Sequence, residues 1–281
     1  MHEDLEKSKN VVNTVVSDFG EEWSRFDQSV LPDAERQLLF DGYFAVFPWD
    51  KLPPNAIGFD AGCGTGRWAV LVAARVGHLH CIDPSSALDI AQKTLQQFRN
   101  CSFHRTTVDE MPFAENSMDF GYSLGVLHHI PDTQEGIAAC VRKLKKGAPF
   151  LVYLYYAFDN QPRWFKTVWK VSDMVRKIIS RLPYRLRYVM TQLIAVLVYY
   201  PLARTANALE KIGVDVHSYP LSSYRDKSFY SMRTDALDRF GTQLERRFTR
   251  DQIRTMMGCA GLGNIKFSSE RPFWCAVGIK K

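Results

Sequence analysis

The spacing of apolar positions along this chain changes more than once, and each change marks an element boundary. Over residues 1–50 the pattern is helical: Val12, Val15, Val16 and Phe19 share a face that Trp23 and Phe26 continue at three- and four-residue steps. This predicts an N-terminal helical lid or packing segment, and Pro53-Pro54 resets the chain after it. Short strand-like runs follow at Ala56-Ile57, Leu79–Asp83, in the block from Ser117 with its end at Leu124, and at Phe150–Tyr155, with an Ala-rich helical stretch over residues 67–74. From Ala157 to Tyr230 the pattern turns helical and aromatic, punctuated by Pro162, Pro183, Pro201 and Pro220. Thr249 is placed to cap a helix through Ile253, Met256 and Met257, and Ile265–Phe267 and Phe273–Ile279 supply two final strands.

The first strand runs into the octet Phe59–Gly66, F-D-A-G-C-G-T-G, followed by the helical stretch. Glycines at 62, 64 and 66 permit positive φ and keep Cβ atoms away from a ligand, and a helix start offers unpaired N–H groups. Dinucleotide folds use G-x-G-x-x-G, whereas the spacing here is G-x-G-x-G with Asp60 ahead of the first glycine. That favours a ligand with an ammonium or hydroxyl group near the turn over a second phosphate, and the absence of G-K-[ST] excludes a P-loop. Asp83 closes the second strand, where a carboxylate can accept two ribose hydroxyl protons. Further blocks are Val108–Phe113, Ser117–Asp132, and Leu144–Gly147 leading into the run at Phe150.

With these four ordered blocks the sequence resembles the class I S-adenosylmethionine-dependent methyltransferases, closely over residues 50–157 and loosely over 230–281. The resemblance implies an α/β fold: a doubly wound, seven-stranded, mostly parallel sheet with N-terminal helices and a helical cap insertion. It divides the chain into a lid over 1–50, a Rossmann-like cofactor domain over 51–156 and 231–281, and a cap over 157–230. It implies S-adenosyl-L-methionine as cofactor. The glycine turn would hold the methionine part through Asp60, Gly62, Cys63, Gly64 and Gly66. Asp83 would grip the ribose, Asp109 with Glu110 and Met111 would meet the adenine, and Leu124 and Gly125 would face the methionine and sulfonium. In relatives an N-terminal aromatic helix often covers the cofactor, which gives that role to Trp23. One departure is Ala148-Pro149 where many relatives have a second glycine after Gly147, a position remote from the cofactor.

Composition adds limits. The 281 residues, 46% of them hydrophobic, suffice for one large domain or a domain plus a cap. The charged start Met1–Lys7 lacks a signal-peptide core, and six scattered cysteines without a C-x-x-C pair suit a reducing cytosol, so a cytoplasmic location is expected. The net charge is +6, and eight basic residues against Asp173 alone lie between Arg163 and Arg187. A solvated face, an anionic acceptor, a membrane surface and nucleic acid are all compatible with that charge. The apolar run Leu193–Tyr200 is far shorter than the ~20 residues of a span, so a buried helix is expected, with peripheral docking as the alternative.

The chemistry would be displacement of the sulfonium methyl by an acceptor nucleophile, which asks the protein for positioning and, for a hydroxyl, removal of a proton. His128, just past the fourth strand, is the candidate general base, and its neighbour His129 reads as structural. Tyr153, Tyr155 and Tyr156 at the fifth strand's end, with Tyr224, Arg225 and Arg233 from the insertion, are candidate acceptor contacts; Tyr153 and Tyr155 share a strand face and Tyr156 lies opposite. No metal site is expected, because adjacent histidines cannot both face one ion. The expected function is methyl transfer to a small or medium-sized acceptor, anionic or linked to lipid or sugar. The alternatives are a tRNA or rRNA methyltransferase using the basic insertion, although no RNA-binding module is recognisable, and a non-catalytic cofactor-binding or membrane-docking protein.

Overall fold

A computed structural model of the chain describes residues 10–28 and 30–281; the charged start at Met1–Lys7, and the reading drawn from it, lie outside the described residues. Seven strands form one sheet in the order β3-β2-β1-β4-β5-β7-β6. The parallel strands are β1 (Ile57–Ala61), β2 (His78–Ile82), β3 (Cys101–His104), β4 (Phe120–Leu124) and β5 (Pro149–Tyr153). β7 (Cys275–Lys280) lies antiparallel between β5 and β6 (Leu262–Phe267). This is the doubly wound, mostly parallel sheet that the resemblance implies.

The helices of this α/β unit are α1 (Asn13–Arg25), α2 (Asp33–Phe44), α3 (Ala69–Ala73), α4 (Ala87–Thr94) and α5 (Thr133–Lys143). A helical stretch of the chain then contributes α6 (Arg163–Ile179), α7 (Tyr184–Ile194), α8 (Tyr200–Lys211) and α9 (Phe229–Gly241) before α10 (Arg250–Cys259) returns to the sheet. The central strands are apolar on both faces because helices cover both. Phe59, Ala61, Phe150 and Val152 turn to one face and pack with Ile137 of α5 and Ile253 of α10. Phe120, Tyr122, Leu124 and Leu151 turn to the other, against Phe40 of α2, Val72 of α3 and Leu88 of α4. Thr249 caps α10 as its sequence suggests: its hydroxyl accepts from Gln252 N, and Gln252 Oε1 accepts from Thr249 N at 2.8 Å.

The chain divides into an α/β unit, which takes the segment up to Gln28, Arg36–Ala157 and Leu244–Lys281, and a helical unit that takes Phe158–Gln243 together with residues 30–35, the start of α2 among them. The helical unit therefore runs past Tyr230, because α9 sends Met232, Ala236 and Phe240 into one core with Ile179, Ala195, Tyr199 and Ala203. The apolar run Leu193–Tyr200 is part of a longer helix and is only partly buried: Ala195 and Tyr199 enter the core, while Leu193, Val196, Leu197, Val198 and Tyr200 are exposed. A π-helical stretch at Ala195–Tyr199 joins α7 to α8, giving one helix over Tyr184–Lys211 of 28 residues. Its most apolar window has a mean hydropathy of 1.3 and is only 28% buried. Pro201, expected as punctuation, lies in the first turn of α8 directly after the π stretch, where local unwinding accommodates its missing N–H.

Candidate active site

At β1 the strand order changes direction, since β2 and β3 lie on one side of it and β4 and β5 on the other. Open α/β sheets have their ligand crevice at such a switch point, outside the carboxyl ends of the strands. The octet follows β1, Asp83 follows β2, Asp109 follows β3, Gly125 to His129 follow β4, and the tyrosines close β5, so the topology gathers all of them at that edge.

The glycine turn is built partly for packing and partly to leave space. Gly62, Gly64 and Gly66 have φ of +84°, +53° and +78°. Ile82 O at the end of β2 accepts from Gly62 N at 2.8 Å and from Cys63 N at 2.9 Å, which holds the turn to its neighbour. A Cβ at Gly62 would lie 2.4 Å from a Val126 methyl, and one at Gly66 3.3 Å from Ala91 of α4, so those glycines serve close approach within the fold. Beyond Gly64 nothing is nearer than Trp23 Nε1 at 3.7 Å, and beyond Gly125, at φ +76°, nothing lies within 4 Å. These two expose backbone to open space that a side chain would fill. α3 begins only at Ala69 and is shorter than the expected helix over 67–74, so the octet is followed by loop before the helix starts.

Asp83 organises the turn from the next strand. Its Oδ2 accepts from Gly64 N at 2.9 Å, while Oδ1 accepts from Ser85 N at 2.9 Å and from Ser85 Oγ at 2.6 Å. A carboxylate offers about four acceptor positions, so about one stays open in this arrangement. A ribose held by both hydroxyls would have to take the place of one present donor.

Asp60 is the electrostatic centre of the site. It is 2% exposed, and its Oδ2 has no hydrogen-bond partner. Burial pushes its pKa up to about 8; the Tyr122 hydroxyl works against the rise, Asp83 adds to it, and Arg67 opposes it. A buried acceptor without a donor is costly and fits a ligand that brings a cation or an N–H to that point. Cys63 is a small buried filler of the turn, and burial lifts its thiol to about 11.

Helix α1 reaches this edge. The Asn10 side chain pairs with both backbone groups of Asp132, in the loop between β4 and α5. Farther along, Phe19 sets its edge against His129 with centroids 4.9 Å apart, and Gly20 packs so closely on Ser86 that a Cβ would lie 2.6 Å from its hydroxyl. Trp23 stands beside Gly64, with the Arg67 guanidinium 5.4 Å from its ring centroid. Asp109 and Glu110 lie on a single 3-10 turn, Asp109 half-buried and Glu110 exposed, and Met111 just beyond it is buried.

His128 is fully buried, stacks on Tyr155 with ring centroids 3.9 Å apart, and has no hydrogen-bond partner at either ring nitrogen. Burial, then the neighbouring His129 and Arg247, hold its basicity well below the ordinary histidine value. His129 donates from Nδ1 to Leu244 O at 2.7 Å, a structural bond. Tyr153 lies 6.1 Å from Tyr155, whereas Tyr156 packs on Phe273 at 5.7 Å, so the first two and the third face different surroundings although β5 ends at Tyr153.

The remaining candidates belong to the helical unit and are engaged within it. Tyr224 packs on Tyr199 at 5.4 Å, Arg225 donates to Glu210 at 2.6 Å, and Arg233 donates to Gln192 and, at 3.1 Å, to the Tyr188 hydroxyl. Sequence reasoning passed over Ser85 and Tyr122. Asp-x-Ser is a readable turn signal for the first. The second faces Asp60 only through the register that pairs those residues across β1 and β4.

The methyltransferase-domain family matches residues 59–152. The chain is 31% identical over 131 residues to a ubiquinone biosynthesis O-methyltransferase of Hahella chejuensis, covering 46% of this chain and 54% of that protein. It is 33% identical over 119 residues to phosphoethanolamine N-methyltransferase 2 of Caenorhabditis elegans, covering 41% and 27%. The match thus spans about half or less of these curated relatives' length. Among solved structures, an S-adenosylmethionine-dependent methyltransferase of Thermotoga maritima, described as a possible histamine N-methyltransferase, superposes with a TM-score of 0.50 at 15% identity, over 94% of this chain and 100% of that one. At that identity the likeness is one of fold.

Proposed function

We propose, from the premise that this chain belongs to the class I S-adenosylmethionine-dependent methyltransferases, that it transfers the cofactor's methyl group to a small or medium-sized acceptor. The observation that carries the reading is the orphaned Asp60 oxygen beside the open backbone of Gly64 and Gly125. These residues suit a ligand that brings an ammonium group and needs close backbone approach. Asp60 would meet the ammonium, Asp83 the ribose, and Asp109 with Glu110 and Met111 the adenine; Leu124 and Gly125 would border the methionine, and Trp23 would close the edge of the turn. When bound, S-adenosylmethionine supplies a methyl group already activated by the sulfonium charge.

The chain's own part is to hold an acceptor in line and to take its proton. Positioning of this kind contributes up to ~7–11 kcal/mol. His128 is the proton acceptor in this reading because both ring nitrogens lack a partner; its burial, which weakens it as a base, is the feature that works against the role. Tyr153 and Tyr155 would border the acceptor, with Tyr156 behind them. The two curated relatives methylate oxygen in one case and nitrogen in the other, so the shared domain serves either atom. We favour an acceptor carrying negative charge or a lipid or sugar group over RNA. Arg176 and Arg187, two of the eight basic residues between Arg163 and Arg187, are buried and donate to carbonyls inside the helical unit, which leaves less charge for phosphates.

The test is calorimetry with S-adenosylhomocysteine, followed by methyl transfer from labelled S-adenosylmethionine to hydroxylated quinol precursors, phosphoethanolamine and bulk tRNA. Binding of S-adenosylhomocysteine with transfer to a small acceptor supports the reading. Transfer to tRNA alone, with affinity falling steeply with salt, would replace it.

A further inference from the structure

We infer that the helical unit docks in the plane of an anionic lipid surface through the outward faces of α6 and of the continuous helix formed by α7 and α8. On α6, Trp164, Val168, Val171, Val175 and Ile178 recur at three- and four-residue steps, and all are exposed, from 42% to 68%. The face next to this stripe buries Arg176 and Ile179. The second helix repeats the arrangement: Leu186, Val189, Leu193, Val196, Leu197 and Tyr200 are exposed at the same spacing, while Arg187, Thr191, Ala195 and Tyr199 are buried. A helix in water ordinarily turns its apolar stripe to the core. Here both helices bury a mixed face and present the apolar one. Their lengths, about 25 Å for 17 residues and about 42 Å for 28, make these two long exposed apolar stripes, the kind of surface that marks an interaction site.

The charges beside the stripes select the partner. Arg163 and Lys170 line the flank of α6, and Arg181 and Arg185 mark the turn into α7; all four are exposed, and none forms an ion pair among the described residues. Asp173, the acid of this segment, is already paired with Arg176 and Lys177. Exposed aliphatic and Trp side chains edged by Lys and Arg are what a helix lying at the headgroup level of an anionic bilayer presents. A second protein copy would bring like charges together along the same flank.

The long helix is apolar enough to cross a bilayer, but the chain's topology rules out a single crossing. β5 precedes it and β6 and β7 follow it, and all three hydrogen-bond in one sheet, so one span would put strands of the same sheet on opposite sides of a membrane. It is the sole such helix among the described residues. Its inner face also carries Arg187, which donates to Gly241 O, and Gln192, which pairs with Arg233 of α9. The helix therefore lies along the surface.

The experiment is flotation of the full chain with phosphatidylcholine vesicles, with and without phosphatidylglycerol. It should be run on wild type, Val171→Asp/Ile178→Asp, and Lys170→Glu/Arg181→Glu, with circular dichroism and S-adenosylhomocysteine binding measured on each. Wild type should float with phosphatidylglycerol vesicles and be extracted by alkaline carbonate. The apolar pair should abolish flotation, and the charge pair should weaken it at least tenfold, at about fivefold for each basic residue lost, while both keep wild-type helicity and ligand affinity. Wild type remaining with the soluble fraction would overturn the inference, as would flotation of the apolar pair at the wild-type level or resistance to carbonate. So would a stable wild-type dimer that the apolar pair converts to monomer, since a second copy would then own the face. Ligand binding is read separately, so loss of the membrane result leaves the cofactor reading standing.

Discussion

Cofactor binding should release a proton, and Asp60 should be its source. With its pKa pushed up to about 8 by burial, Asp60 is mostly a neutral acid at pH 7 in the free protein. At that value about one carboxyl in eleven is ionised at pH 7. An ammonium brought within ~4–6 Å favours the carboxylate by about 1–3 pKa units, so binding at pH 7 drives off about 0.4 to 0.9 of a proton per site. The dissociation constant of S-adenosylhomocysteine should then tighten about two- to eightfold between pH 6 and 7. Calorimetry in two buffers of different ionisation enthalpy reads the proton directly. Asp60→Asn should bind without releasing it and with a nearly flat pH dependence. The same shift has a consequence for the unliganded fold. A carboxyl whose native pKa is raised contributes stability below pH 3.8 that is lost as pH rises through about 8, so Asp60→Asn should gain melting temperature over wild type at pH 9. The reasoning is refuted if wild type binds with no linked proton, or if Asp60→Asn keeps the wild-type pH slope.

Other outcomes follow from the geometry. Asp83→Ala removes acceptors from Gly64 and Ser85 as well as from a ribose, at about 1.5–3 kcal/mol per charged hydrogen bond, so calorimetry should show at least a tenfold loss of affinity for S-adenosylhomocysteine. Equal affinity would remove Asp83 from the ribose role. His128→Gln should lower turnover while cofactor affinity stays at the wild-type level; an unchanged rate ends its role as base. Because the native pKa of His128 is depressed, its contribution to stability is present above about 6.5 and lost as pH falls below it, so chemical denaturation of His128→Gln should show a shallower acid decline than wild type. Gly62→Ala places a Cβ 2.4 Å from Val126 and should lower the melting temperature sharply, with Val126→Ala restoring only part because φ stays at +84°. Thr249→Ala should cost about 1 kcal/mol in denaturant unfolding through loss of its cap.

The parts of the site legible in the sequence are those that each lie at the end of one strand. The octet, Asp83, Asp109 and Leu124 can be placed because apolar runs locate the strands and turn residues close them. Asp60 can be named as an acid near the turn, but its raised pKa depends on burial by residues from other strands, Tyr122 among them, and on the register that sets them opposite each other. Asp83 can be named as an acceptor, whereas its present donors, Gly64 N and Ser85, emerge only in three dimensions. The helical unit was harder to read for a different reason. Its apolar positions have ordinary helical spacing, and periodicity does not say which face is buried. Arg187 and Thr191 went inside and Val196 and Leu197 outside, against the usual preference. α9 joined that unit because Met232, Ala236 and Phe240 match the small and aromatic positions of α7 and α8, a tertiary fact no local pattern carries.

The measurement that bears most directly on the central claim is a crystal structure of the full chain with S-adenosylhomocysteine. The account predicts the ligand at the carboxyl ends of β1 to β4, its amino group on Asp60, its ribose on Asp83, its adenine beside Asp109 and Met111, and its sulfur toward Gly125. Density at another edge of the sheet, or no ligand bound at saturating concentration, would contradict it.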